Sequence, residues 1–505
     1  MKYLLYASLA SLALANPNKG PKPKKVDPHK FPNDIKLDAL LAGSQKLQDM
    51  AYAYPERNRV FGGVAHNETV DWLYEELKAT GFYDVWKQPQ VHQWTTADQT
   101  LTVSGEDLEA QTMTYSPSVK VEAELAVIPN VGCDKADYAG VSGKIALVQR
   151  GTCPFADKSV LAAAADAAAV VVYNNEGGPM SGTLGGSVDP RGKYAAIVGI
   201  SKEDGATLTT KLKDGAVKAS LVVDSKVEDR MTFNVIAQTK TGDPNNVVAL
   251  GGHTDSVDAG PGINDDGSGI VSNLVIAKAL TKYKVKNAVR FCFWTAEEFG
   301  LLGSTFYVES LNATEIAKIR LYLNMDMIAS PNYALMIYDG DGSSFDMSGP
   351  PGSAEIEHLF EHYYGKIANK KFMATAFDGR SDYQAFIENG IPAGGLFTGA
   401  EGIKTEEEAE QFGGEAGVAY DENYHAKGDT MDNINSDAYL LNSKATAYAV
   451  ATYAENLETI PPRNASSVHH FTHKRGYKGR PHTRRVPKTN AHVHGTGCMH
   501  SRVEA

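Results

Sequence analysis

Apolar residues recur every three to four positions over residues 37–54 and again over 70–80. This is the period of amphipathic helices, and the second run stops at Gly81 as a helix does. From residue 116 the pattern shortens into β-like runs at 124–128 and 143–148. An Ala-rich helix over 158–169 leads into a strand at 170–173, with further strands at 195–200 and 219–223. From Phe233 to residue 457 the chain alternates strand, loop and helix. Strands fall at 246–250, 288–293 and 321–323, and helices at 270–280 and 300–310. Continuous apolar strands alternating with helices predict an α/β fold, a mostly parallel central sheet covered by helices on both faces. The stretch 116–231 predicts a smaller α/β domain inserted into it. In such sheets the active site gathers at the carboxyl ends of the strands. No internal repeat is present.

At 505 residues the chain is long enough for two domains. Lys2, the apolar run 4–14 and Ala13-Leu14-Ala15 form a secretory signal over 1–15. Residues 16–36, polar and rich in Lys and Pro, read as a pro-segment or flexible leader. The remaining divisions are 37–115 and 232–460 for the main domain and 461–505 for a tail. The triplets at Asn67, Asn312 and Asn464 are glycosylation sequons, in keeping with a secreted chain, the vacuole being the alternative destination. Cys133 and Cys153 flank one strand-like run, and a disulfide between them suits that route. Cys292 lies in an apolar strand as a buried thiol, and Cys498 sits in the tail. The net charge of −12 hides an asymmetry: the tail carries +8 and seven of the fourteen histidines, and the rest −20. The tail is read as a disordered extension, not a nucleic-acid arm. Nothing in the mature chain spans a membrane by its apolar runs, and a monomer is expected.

Five short stretches carry the chemistry: Gly252-His253-Thr254-Asp255, Asn264-Asp265-Asp266-Gly267, Thr295-Ala296-Glu297-Glu298-Phe299, Asn324-Met325-Asp326-Met327 and Tyr424-His425. Imidazole nitrogen and carboxylate oxygen are ligands for divalent ions of the zinc type. His253 is a ligand that Asp255 would orient. Asp265 has two oxygens with which to bridge a pair of ions, although Asp265 or Asp266 could equally cap the following helix. Glu297 and Glu298 would repel each other without a nearby cation, so one is read as ligand and its neighbour as general base. Asp326, between two methionines, is costly to bury unless something pairs it. Tyr424 has a phenol suited to an oxyanion.

These stretches, in this order, resemble the co-catalytic di-zinc aminopeptidases, a family that includes bacterial zinc aminopeptidases, secreted fungal leucine aminopeptidases and vacuolar aminopeptidase Y. The region 143–175, with Arg150-Gly151-Thr152-Cys153-Pro154-Phe155, looks like the protease-associated domain of the latter two. The resemblance covers residues 37–457. It implies two zinc ions, one on His253, Asp265 and Asp326, the other on Asp265, Glu298 and His425. It implies Glu297 as general acid/base, Tyr424 as the carbonyl-polarising tyrosine, and Arg380 as a substrate-binding residue. Relatives often carry cysteines around the tyrosine-histidine pair where this chain has Asn423 and Gly428, so a local disulfide is missing. The implied activity is release of N-terminal residues, with broad or leucine-directed preference, from peptides that have a free N-terminus. Rival readings are a carboxypeptidase of the glutamate carboxypeptidase type, which needs a cationic pocket, a glutaminyl cyclase, and a receptor-like module that has lost its ligands.

Overall fold

The computed structural model describes residues 24–175, 180 and 182–463. The signal at 1–15, the sequon at Asn464, the tail from residue 464 onward and Cys498 lie outside the described residues.

The strand Asp243–His253 is central. It runs parallel to Asn287–Trp294 on one side and to Ile319–Met325 on the other, and Ala393–Phe397 continues the parallel set. Alternate residues of these strands enter two cores. Val248, Leu250, Phe291 and Leu323 face one, and Ala249, Cys292, Trp294 and Tyr322 face the other. That two-sided burial is why the runs read as continuously apolar. The first core is closed by the helices Leu37–Tyr52, Val64–Ala79, Gly267–Leu280 and Ser436–Glu455, the second by Leu302–Ser310 and Tyr383–Glu388.

Two long antiparallel strands, Tyr83–Val103 and Lys218–Thr239, pair along their whole length, from Tyr83 with Thr239 to Val103 with Ala219. Their inner ends join the central sheet, where Val235 pairs with Phe293. Their outer ends join a second sheet, where Ala219 pairs with Ala123 of Val119–Val127. That sheet continues in parallel through Ile145–Gln149, Ala169–Tyr173 and Ile197–Ile200. The smaller unit therefore draws on residues before 116. The expected strand at 219–223 is one end of a 22-residue strand.

Other boundaries differ for local reasons. The Ala-rich helix is Phe155–Ala164, and the chain turns at Asp166, with φ of 57°, to enter the next strand. The second helix begins at Val64 and ends beside Gly81, whose φ is +63°. Residues 24–35 are not a flexible leader: Lys24–Lys25 pairs with Tyr283–Lys284, and Val26, Phe31 and Ile35 are buried in the main core. Burial of these few apolar side chains holds a segment whose composition is otherwise polar. Cys133 and Cys153 form a disulfide, and Cys292 is a buried thiol. No helix among the described residues is long and apolar enough to cross a membrane.

Candidate metal centre

The expected ligands meet at the carboxyl ends of the central strands. His253 ends its strand, Glu297 and Glu298 follow Asn287–Trp294, and Asp326 follows Ile319–Met325. His253 Nε2 lies 3.0 Å from Asp265 Oδ1, 3.7 Å from Asp326 Oδ1 and 3.9 Å from Glu297 Oε2. On the far side, His425 Nε2 lies 3.2 Å from Asp265 Oδ2 and 2.9 Å from Glu298 Oε2. One oxygen of Asp265 thus faces each histidine, the disposition a bridging carboxylate needs. Three ligand-bearing turns contain a left-handed residue that is not glycine: Ala296 (φ 54°), Met327 (φ 51°) and His425 (φ 54°). Such conformations are uncommon and gather at functional sites.

The supporting groups are equally specific. Asp255, fully buried, accepts the backbone N–H groups of Glu297 (3.1 Å) and Glu298 (3.3 Å), which fixes the acidic pair against the His253 segment. Asp266 accepts backbone N–H groups from His253 (3.0 Å), Gly269 (2.9 Å) and Met327 (3.3 Å). It caps the helix Gly267–Leu280 and ties three ligand segments together, so its oxygens serve the scaffold although they lie among the ligand atoms. The peptide between Asp265 and Asp266 is cis. Ser381 donates to Asp326 Oδ2 at 2.6 Å and accepts from Asn324 Nδ2 at 2.8 Å.

Arg59, Asp429 and Glu401 escape the sequence reading. Buried Arg59 donates to the carbonyls of Thr254, Pro261 and Gly262, and Asp429 accepts the N–H groups of Asn264 and Asp265. Neither has a sequence signal: Arg59 lies about two hundred residues upstream of the carbonyls it grips. Where a disulfide is missing, Asn423 Nδ2 donates to Asn433 Oδ1 at 2.8 Å, and a Cβ at Gly428 would fall 1.9 Å from Asn423 Oδ1. Hydrogen bonds and contact hold the loop there.

Charge is concentrated. Burial pushes Glu297 well above the usual carboxylate range, opposed by His253 and reinforced by Glu298. Burial likewise raises Glu298 to about 6, with Asp265 adding to it. Asp265 is also raised by burial, but hydrogen bonds from His253 and His425 outweigh that and hold it low. Glu298 Oε1 is buried without a hydrogen-bond partner. Ligand atoms of His253, Asp265 and Glu298 lie within 4.8 Å of one another. An orphaned carboxylate oxygen among crowded acids and two imidazoles fits zinc. A third acidic group, Asp339, Asp341 and Glu357, differs: Asp339 accepts the N–H groups of Gly342, Ser343, Ser344 and Phe345, and Glu357 those of Gly340 and Asp341. Those oxygens close a loop.

The cleft above the ligands is open to solvent and is lined by Glu297, Glu298, Asp378 and Arg380 and by apolar Met327, Tyr338, Phe397 and Ala400. Arg380 is gripped by Glu401 and reaches Tyr424 Oη at 3.1 Å, and the Tyr424 ring stacks on His425 at 3.8 Å. Of the sequons, Asn67 lies in the helix Val64–Ala79 with Nδ2 donating to Gly62 O and Oδ1 buried, and exposed Asn312 caps Ala313–Lys318.

An α/β scaffold that gathers two imidazoles and several carboxylates above its strand ends has the ligand set of the metallohydrolases as a class. Comparison with known proteins narrows this. Residues 234–450 match Peptidase family M28 and 121–208 match the PA domain. The chain is 66% identical over 506 residues, all of both chains, to a probable leucine aminopeptidase 2 of Aspergillus oryzae. It is 56% identical over 433 residues to leucine aminopeptidase 2 of Trichophyton rubrum, covering 85% of this chain and 87% of that one. Among solved structures it is similar to an aminopeptidase from Aneurinibacillus sp. strain AM-1 (TM-score 0.69, 31% identity, 87% of this chain and 99% of that one). It is also similar to BSAP, a zinc aminopeptidase from Bacillus subtilis (TM-score 0.58, 25% identity, 84% and 99%). The chain belongs to Peptidase family M28, as a zinc-dependent aminopeptidase that carries a PA domain and acts on peptides.

Proposed function

We propose that the chain is a secreted, monomeric aminopeptidase that works with two zinc ions and prefers leucine or similar apolar residues at the N-terminus. His253, Asp265 and Asp326 would hold one ion, and Asp265, Glu298 and His425 the other. Bound there, zinc supplies Lewis acidity toward water and the scissile carbonyl. Glu297 takes a proton from the attacking water and delivers it to the leaving amine nitrogen. Asp255 keeps Glu297 in place through the backbone. Tyr424 donates to the carbonyl oxygen as it gains negative charge.

The observation that carries the reading is the charge of the cleft. Beyond the carboxylates assigned to zinc, its lining holds those of Glu297 and Asp378, which suit a substrate's α-ammonium group. Arg380 is committed to both oxygens of Glu401, at 2.9 and 3.1 Å, and does not make the cationic pocket a carboxypeptidase needs. Met327, Tyr338, Phe397 and Ala400 offer apolar surface to a leucine-sized side chain. The Cys133–Cys153 disulfide and exposed Asn312 support a secretory route. The test is hydrolysis of aminoacyl substrates, free and N-acetylated, before and after chelation. The free set should be cleaved, leucine foremost, and the acetylated set refused. Activity should vanish with the metal and return with zinc. Cleavage of acetylated substrates at the same rate would refute an exopeptidase that reads the free amine.

A further inference from the structure

Glu401 does not line the cleft, yet it grips Arg380, which does. Its Oε1 accepts from Arg380 Nη1 at 2.9 Å and its Oε2 from Nη2 at 3.1 Å, the planar two-bond grip that fixes a guanidinium in orientation as well as position. The same Nη2 donates to Tyr424 Oη at 3.1 Å. The two ends of this relay ride on segments bound to each other. Tyr420 N–H donates to Gly402 O and Asp421 N–H to Ala400 O, both at 2.9 Å. Gly399, with φ of +93°, lets the Glu401 loop pass under the Tyr420 ring, where a Cβ would fall 2.3 Å from a ring carbon.

From this arrangement we propose that Glu401 is a positioning residue of the reaction. It holds Arg380 so that the guanidinium sets the Tyr424 phenol for donation to the substrate's carbonyl oxygen. Lysine in place of Arg380 would lose the grip, because one ammonium cannot match two carboxylate oxygens and reach the phenol together. A phenol oxygen that accepts from a cation is polarised and becomes a stronger donor through its own O–H. The effect of Glu401 therefore belongs to the transition state, where the carbonyl oxygen turns negative, and not to ground-state binding. The alternative is a partly exposed ion pair that contributes nothing to turnover.

The inference rests on the aminopeptidase reading, and the experiment separates the two. Wild type, Glu401→Gln, Tyr424→Phe and the double variant are assayed on a free-amine leucine substrate, with zinc content measured on each. Glu401→Gln should lower kcat about tenfold or more while KM stays within about twofold and zinc is unchanged. In the Tyr424→Phe background the same change should cost less than about twofold, because the relay has lost its end. Glu401→Asp should recover part of the loss. Should Glu401→Gln fail to fold, Arg380→Lys takes its place in the cycle. An unchanged kcat, a loss of equal size in both backgrounds, or a fall in zinc content that accounts for the loss would overturn the assignment. A wild type inert toward free-amine substrates would sink the aminopeptidase reading itself.

Discussion

Glu297 and Glu298 are adjacent in sequence and differ in surroundings. Glu298 faces His425 at 2.9 Å, whereas Glu297 turns toward His253 at 3.9 Å, and Asp255 receives both backbone N–H groups. The proposed division of labour between ligand and base rests on that difference. Glu297→Gln keeps the shape and removes the proton acceptor, so kcat should fall by roughly 10²–10⁴ while the zinc content of the purified protein is unchanged. Elemental analysis beside steady-state kinetics checks this, and full retained turnover would place the base elsewhere. At this scale the sequence was informative where chemistry is local. A histidine at a strand end and an acidic pair after a buried strand have few bland uses. It was silent where a residue acts across long separations. Arg59, Asp429 and Glu401 look like surface charges until the fold brings each to its partner. Asp266 stood beside Asp265 as the other candidate for helix cap, and it is Asp266 that caps.

Among elements, the strands Asp243–His253, Asn287–Trp294 and Ile319–Met325 were legible because both their faces are buried. The paired strands Tyr83–Val103 and Lys218–Thr239 were not. Their middle is a two-stranded ribbon with solvent on much of it, and residues such as Lys87, Gln90, Asp224 and Lys226 break any apolar period. Pro89, inside the first of them, argues further against a strand. The helix Phe155–Ala164 was overextended for a different reason: alanine favours helix everywhere, so composition could not mark the turn at Asp166. In the PA unit, Cys133 and Cys153 close a loop with a sequence separation of 20. Replacing both with alanine should cost that unit about 3 kcal/mol by the chain-entropy account. Urea unfolding followed in the variant and the parent measures it. Equal midpoints would mean that the loop is already ordered in the unfolded chain.

For the molecule as a whole, one ribbon joins two sheets, and the metal centre belongs to the larger. Acidic side chains that would repel in a folded core are gathered at one place, opposite a cleft with little positive charge left to offer a substrate. A protein tolerates such a concentration when cations complete it. The chain order of the ligands, from residue 253 to residue 425, could be read from sequence. Their convergence depended on a parallel sheet bringing three strand ends side by side and on a long return to His425. The most direct measurement is a zinc-edge anomalous difference map of crystals grown from zinc-loaded protein. Two peaks should appear, both against Asp265, one shared with His253 and Asp326 and the other with Glu298 and His425. A single peak, or zinc bound instead at Asp339 and Glu357 with the Asp265 site empty, would contradict the account.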